Sequence, residues 1–174
     1  IIDLCHFFEK LGVKFKGIGT DTLIILGCQK SITEKVQYSI IPDRIEAGTF
    51  LIACAATGGR LRLKNVNSEH LREVLVKLKK TNVQIDIDKN TIQIISNTNQ
   101  KPVSMVTDVY PGFPTDLQAQ WIAYMSIVNG CSEIEDTIYI DRFTHIPELN
   151  RLGANIVMKE NKAIIEGSNQ LYAA

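Results

Sequence analysis

An internal repeat of about seventy residues leaves this chain few possible architectures. An amphipathic helix, a stop residue and two short strands occur three times. Ile2, Leu4, Cys5, Phe8 and Leu11 recur at helical spacing, Gly12 follows, and residues 13–15 and 23–26 read as strands. Residues 71–78 read as the second such helix, ended by Asn82, with strands at 83–87 and 91–95. Residues 146–152 read as the third, ended by Gly153, with strands at 154–157 and 163–165. Glycine and asparagine are the residues that tolerate a left-handed backbone, so Gly12, Asn82 and Gly153 are each predicted to adopt it.

A second kind of helix alternates with the first. Residues 47–57 and 119–128 are apolar on nearly every face, which predicts helices buried on all sides. Both follow a proline, Pro42 or Pro114, and both end in glycine, Gly58-Gly59 or Gly130. Each leads into an alternating strand, 60–66 or 132–138. The unit is therefore buried helix, strand, amphipathic helix and two strands. That predicts an α/β fold of repeated units, with sheets packed outside a shared core of helices. About two copies and the tail of another are present, and such units bury their faces against their neighbours. The chain opens without Met inside an apolar helical pattern and closes on Leu171-Tyr-Ala-Ala174. The expectation is a segment of a longer protein, unstable or incomplete by itself.

The stretch Pro111-Gly-Phe-Pro-Thr-Asp116 turns the chain from a strand into the second buried helix. Thr115 stands at the N-cap position with Gln118 three residues on, as Asp43 and Glu46 do in the first copy. Both pairs read as capping boxes. Asp116 is then left over by the cap. It can merely complement the helix dipole, or it can serve a ligand. Aligning Pro42 with Pro114 sets Arg44 against Asp116, a reversal of charge where the flanking residues are alike. A position at which equivalent helices differ in charge is free of the scaffold's demands, which makes Asp116 a candidate site carboxylate.

The second candidate lies in Tyr139-Ile-Asp-Arg-Phe-Thr-His145, between a strand and an amphipathic helix. Arg142 suits a planar carboxylate or phosphate, although it can also pair locally with Asp141. His145 precedes Ile146-Pro147 and reads as structural. Trp121 and Tyr124 fall within the buried helix and read as core. Gly58-Gly59-Arg60 ends a helix and so is no phosphate loop.

Composition closes off other classes. The 174 residues carry no net charge, and no block of Lys or Arg dominates, which argues against a nucleic-acid surface. Lys77, Lys79 and Lys80 complement the end of a helix dipole. The four cysteines, Cys5, Cys28, Cys54 and Cys131, are scattered among apolar neighbours, which predicts buried thiols in a reducing cytoplasm. His6, His70 and His145 lack metal-ligand spacing. No apolar run is long enough to span a bilayer, and none of these residues reads as a signal peptide.

Three motifs in order carry a resemblance that runs in register along the chain. They are Ile41-Pro-Asp-Arg-Ile-Glu-Ala-Gly-Thr-Phe50, Pro111-Gly-Phe-Pro-Thr-Asp-Leu-Gln-Ala-Gln120 and Arg142-Phe-Thr-His-Ile-Pro-Glu-Leu-Asn-Arg-Leu-Gly-Ala154. Together they closely resemble the UDP-N-acetylglucosamine 1-carboxyvinyltransferases, the enolpyruvyl transferases of bacterial cell-wall synthesis. The enzymes of aromatic amino-acid synthesis that make enolpyruvyl-shikimate phosphate share the fold, with these motifs less close. A non-catalytic α/β repeat module that binds a partner is the alternative outside enzymes.

The resemblance implies two domains of three βαβαββ units each, an inside-out α/β barrel arrangement with the active site in the cleft between domains. Residues 1–41 would finish the first domain, which carries the reactive loop. Residues 42–174 would supply two units of the second. The family moves the enolpyruvyl group of phosphoenolpyruvate to the sugar 3′-hydroxyl and releases phosphate, with no cofactor and no metal. Asp116 matches its aspartate that contacts the sugar nucleotide and takes the hydroxyl proton. Ile138 matches a position that meets the sugar nucleotide through its backbone. Arg142 matches an arginine on the phosphoenolpyruvate side. Where the family has Glu-Asn before that arginine, this chain has Ile140-Asp141. The family's lysine-asparagine pair, reactive-loop cysteine and final arginines have no counterpart in these residues. The segment alone is therefore expected to be inactive, with the rest of the same polypeptide as its partner.

Overall fold

The three helix stops fall as the repeat requires: Gly12, Asn82 and Gly153 have φ of +89°, +74° and +90°. The computed structural model describes residues 1–28, 35–97, 99–168 and 170–172, so the closing Ala173-Ala174 lies outside the described residues. The chain divides into two compact units, Ile1–Pro42 and Asp43–Ala174.

In the first unit, helix α1 (Ile2–Lys10) is followed by an antiparallel pair, β1 (Lys14–Lys16) and β2 (Ile24–Gly27). Cys5 on α1 is buried, whereas Ile24, Ile25 and Leu26 stay exposed. The Tyr38 hydroxyl donates to Asp3 Oδ1 at 2.6 Å and ties the end of this unit to its helix.

The second unit shows the repeat in its sheets. Helix α2 (Arg44–Thr57) leads to β3 (Arg60–Lys64), α3 (Arg72–Lys80), and the hairpin β4 (Gln84–Asp88) and β5 (Thr91–Ile95). Then β6 (Met105–Val106), α4 (Gln118–Met125), β7 (Gly130–Glu135), α5 (Ile146–Arg151), β8 (Asn155–Lys159) and β9 (Lys162–Gly167) follow. The sheets run β3-β5-β4 and β6-β7-β9-β8, so each copy inserts its last strand between the two before it. Strand β6 pairs parallel with β7 across the α4 crossover, which gives residues 105–167 the full βαβαββ order. Each hairpin turns on a residue with positive φ, Lys89 (+49°) or Glu160 (+55°).

Helices α2 and α4 pack on each other beneath the sheets. Leu51, Ile52 and Ala55 of α2 and Trp121, Ile122, Tyr124 and Met125 of α4 are almost wholly buried. Full burial of each large apolar side chain contributes roughly 1.5–3 kcal/mol. Gly48 permits the close approach, since a Cβ there would sit 2.4 Å from Leu117 Cδ1. Trp121 packs edge-on against Phe113 and Tyr124, and its indole N–H donates to Val103 O at 3.1 Å. Both aromatic residues of α4 are core, as their place in the sequence predicts.

Two expectations are corrected. Helix α2 is not buried on all sides: Phe50 is 52% exposed and lies on an open stripe with Ala53 and Thr57. An all-apolar helix signals that every face can be covered, but the described residues of this unit cover only part of α2. Nor are all the cysteines buried. Cys5 and Cys54 are, but Cys28 and Cys131 are exposed. Cys131 falls on the outward phase of β7, next to inward Ser132, so strand alternation outweighs its apolar character.

Candidate active site

Asp116 and Arg142, 26 positions apart, meet on the surface of the second unit, where Arg142 Nη1 donates to Asp116 Oδ1 at 2.6 Å. Asp116 lies in a 3-10 turn, Thr115–Leu117, immediately ahead of α4. Arg142 lies in the turns between β7 and α5. The two side chains are 51% and 37% exposed. An ion pair this exposed contributes at most about 1 kcal/mol to stability, and it leaves both groups open to solvent. Among the described residues neither group has a second hydrogen-bond partner. Asp116 therefore keeps one carboxylate oxygen, and Arg142 most of its five N–H donors, for a ligand. The guanidinium also lies 5.4 Å over the Tyr139 ring, which steadies it on a second side.

The local pairing of Arg142 with Asp141 does not form; Asp116 is its partner. The capping box at Thr115 does not form either. In the first copy Asp43 does cap α2, accepting from the Ile45 and Glu46 N–H groups at 2.7 and 3.3 Å. In the second, Pro114 holds the N-cap position without a side-chain bond. The Thr115 hydroxyl instead donates to Asp136 Oδ2 at 2.6 Å. A buried carboxylate is a natural partner for that donor, because its charge strengthens the bond. Gln118 is wholly buried, and among the described residues neither of its amide atoms has a partner, so it makes no bond back to the cap. Arg44, the counterpart of Asp116, sits 5.4 Å over the Tyr110 ring instead of entering this pair.

Asp136 bonds both to Thr115 and to the head of the turns that carry Arg142, and the motif reading missed it. Its carboxylate is fully buried and accepts four hydrogen bonds. Three reach Oδ1, from Thr107 Oγ1 (2.8 Å), Ile138 N (3.0 Å) and Tyr139 N (2.9 Å), and one reaches Oδ2, from Thr115. Burial pushes the Asp136 carboxyl up, but the bonds from Thr115, Tyr139, Thr107 and Ile138 outweigh it and hold the group below the usual aspartate range. The signal was in the strand: Ser132, Ile134 and Asp136 share the inward phase, and a carboxylate on that phase needs donors. Thr107 joins the same network, its hydroxyl accepting from Thr137 N at 3.0 Å.

Ile138 follows directly in this turn, with its side chain 43% exposed. Its N–H is committed to Asp136, so a ligand would meet its carbonyl or side chain. His145 stands at the start of α5, half-buried, and burial holds its imidazole below the usual range while a hydrogen bond with the Arg142 backbone opposes that. It touches neither site side chain through its own ring, in keeping with a structural role. No group of metal-binding residues occurs among the described residues. An open hollow of about 470 Å³ lined by Glu73, Asp108, Gly112 and Thr137 lies nearby in the chain but includes neither Asp116 nor Arg142.

Known proteins share this arrangement of elements. The chain is 43% identical over all of its 174 residues to the UDP-N-acetylglucosamine 1-carboxyvinyltransferase of Thermotoga petrophila, covering 41% of that protein. It is 44% identical over the same span to the protein of that name from Nitratiruptor, again covering 41%. It thus spans about two fifths of the length of these relatives. Among solved structures, the enolpyruvyl transferase NikO from Streptomyces tendae matches 95% of this chain and 39% of its own, with a TM-score of 0.79 at 22% identity. The EPSP synthase from Acinetobacter baumannii matches 99% of this chain and 40% of its own, with a TM-score of 0.53 at 14% identity. At those identities the structures speak for the fold alone, which is the enolpyruvyl transferase α/β fold in part. The family profile described as EPSP synthase (3-phosphoshikimate 1-carboxyvinyltransferase) matches residues 1–174, and with the repeat, the sheet order and the relatives in agreement, the chain belongs to that family.

Proposed function

We propose that the protein carrying this segment transfers the enolpyruvyl group of phosphoenolpyruvate to the 3′-hydroxyl of UDP-N-acetylglucosamine, the first committed step of peptidoglycan synthesis. The observation that carries the reading is the exposed Asp116–Arg142 pair, an acid-base group and an anion-binding group held at 2.6 Å. In the addition step the hydroxyl oxygen bonds to C2 of phosphoenolpyruvate, and C3 gains a proton from an acid in the rest of the polypeptide, whose conjugate base takes a proton back in the elimination. Asp116, through the oxygen that Arg142 leaves open, takes the hydroxyl proton. Arg142 neutralises carboxylate or phosphate charge with its remaining donors. In the elimination step C3 gives up a proton, the C2–O bond to phosphate breaks, and phosphate leaves. Ile138, in the same run of turns as Arg142, meets the sugar nucleotide through its backbone carbonyl.

The identity of 42–44% along the whole chain to proteins of that name supports the acceptor. Residues 1–41 belong on this reading to the end of one domain, and residues 42–174 to two units of the other. The rest of the polypeptide completes the site, so the segment alone does not turn over. The protein works in the cytoplasm, in keeping with the absence of any helix among the described residues long and apolar enough to cross a membrane. Its roles in cell shape and division follow from that pathway.

The test is phosphate release by the full-length protein from phosphoenolpyruvate with either acceptor. Release that requires UDP-N-acetylglucosamine supports the reading. Release that requires shikimate 3-phosphate assigns the protein to the other branch of the family. No release with either leaves a non-catalytic binding module.

A further inference from the structure

We infer that Asp136 is a positioning residue that sets the separation of Asp116 and Arg142 by binding the segments on either side of them. Its Oδ2 holds Thr115, the residue before Asp116, at 2.6 Å. Its Oδ1 holds the Ile138 and Tyr139 amides at 3.0 and 2.9 Å, at the head of the loop that carries Arg142. The two site side chains come from turns that share no backbone ladder with each other. One is a 3-10 turn before α4, and the other is a run of turns after β7. Asp136 lies at the end of β7, which β6 and β9 hold on both edges, so it offers both turns a fixed anchor. Among the described residues it makes no hydrogen bond to Asp116 or to the Arg142 side chain, and acts through these neighbours.

The Thr115 bond is the link that can be cut cleanly. Valine keeps the β-branched shape of Thr115 and removes the hydroxyl, while Asp136 retains its other three donors. As an effect on turnover the inference rests on the carboxyvinyl-transfer reading above; as an effect on geometry it does not. In the full-length protein, Thr115→Val is expected to lower kcat/KM for UDP-N-acetylglucosamine-dependent phosphate release on the order of tenfold, mostly in kcat. Thr115→Ser, which keeps the donor, is expected to return within about twofold of wild type. A crystal structure of Thr115→Val is expected to show Asp116 and Arg142 parted beyond ion-pair distance. Thr115→Ala gives the same comparison if valine packs badly. Wild-type kcat in the variant overturns the inference, and so does an intact ion pair. If wild-type protein releases no phosphate, the functional reading falls, and the separation measured in the variant decides the positioning role alone.

Discussion

Replacing Asp136 with alanine removes one carboxylate and strands four donors. Two are hydroxyls, on Thr107 and Thr115, which can rotate toward other acceptors. Two are the backbone N–H groups of Ile138 and Tyr139, which cannot. A bond to a charged acceptor contributes roughly 1.5–3 kcal/mol, and contributions within one network do not add. The expected local loss is therefore about 3–5 kcal/mol. Amide hydrogen exchange reads this locally in the full-length protein, where a global unfolding energy is poorly defined. Protection of the Ile138 and Tyr139 amides is expected to fall by about a hundredfold or more, at about 1.4 kcal/mol per tenfold. Asp136→Asn is the control. An amide oxygen in place of Oδ1 keeps three bonds, and the Thr115 hydroxyl can turn to accept from the new NH₂ group, so protection falls less than about tenfold. The folded-state carboxyl is depressed, so its contribution is present above the ordinary value of 3.8 and is lost as pH falls through the lower folded value. Acid titration should thus loosen the turn below pH 3.8 in wild type but not in Asp136→Asn. Alanine and asparagine variants that behave alike, or an alanine variant losing less than about tenfold protection, would refute the reasoning.

Three further outcomes follow from the geometry. Asp116→Asn keeps the shape but loses the ionised acceptor, so phosphate release by the full-length protein should drop about 10²–10⁴-fold; a drop of less than tenfold would remove Asp116 from proton transfer. Gly167→Ala places a Cβ 2.0 Å from Val128 O and 2.4 Å from Met125 O, backbone atoms in the turn after α4 and at its last residue. Overpacking of that kind should cost about 3 kcal/mol, and an unchanged melting temperature would show that β9 can move away from the helix. Tyr124→Phe deletes the bond from its buried hydroxyl to Thr81 Oγ1 at 2.9 Å, while Thr81 still donates to Leu78 O. The expected loss is about 1 kcal/mol, read as an about fivefold fall in amide-exchange protection around Thr81, and a loss above about 3 kcal/mol would mean that Thr81 is left stranded.

Much of the fold was legible because local chemistry repeats with the unit. Gly12, Asn82 and Gly153 lie in the left-handed region that their side chains tolerate, and Asp43 caps the helix its position announces. Trp121 and Tyr124 fall in the core because the helix around them has no polar face. The candidate pair was legible only in part. Asp116 stood out by contrast with Arg44, and Arg142 by its loop and by resemblance. The reason Asp116 is spared was misread, since Thr115 serves a distant carboxylate rather than its own helix.

The order of elements, the helix stops and the identity of the polar residues at the site are properties of the sequence, because each depends on residues within a turn or two of one another. The pairing of Asp116 with Arg142, the burial of Asp136 among four donors and the open stripe on α2 belong to the tertiary structure. Each is a meeting, or a missed meeting, of segments far apart in the chain. A hydroxyl or a carboxylate has several possible partners, and only the packed structure selects one.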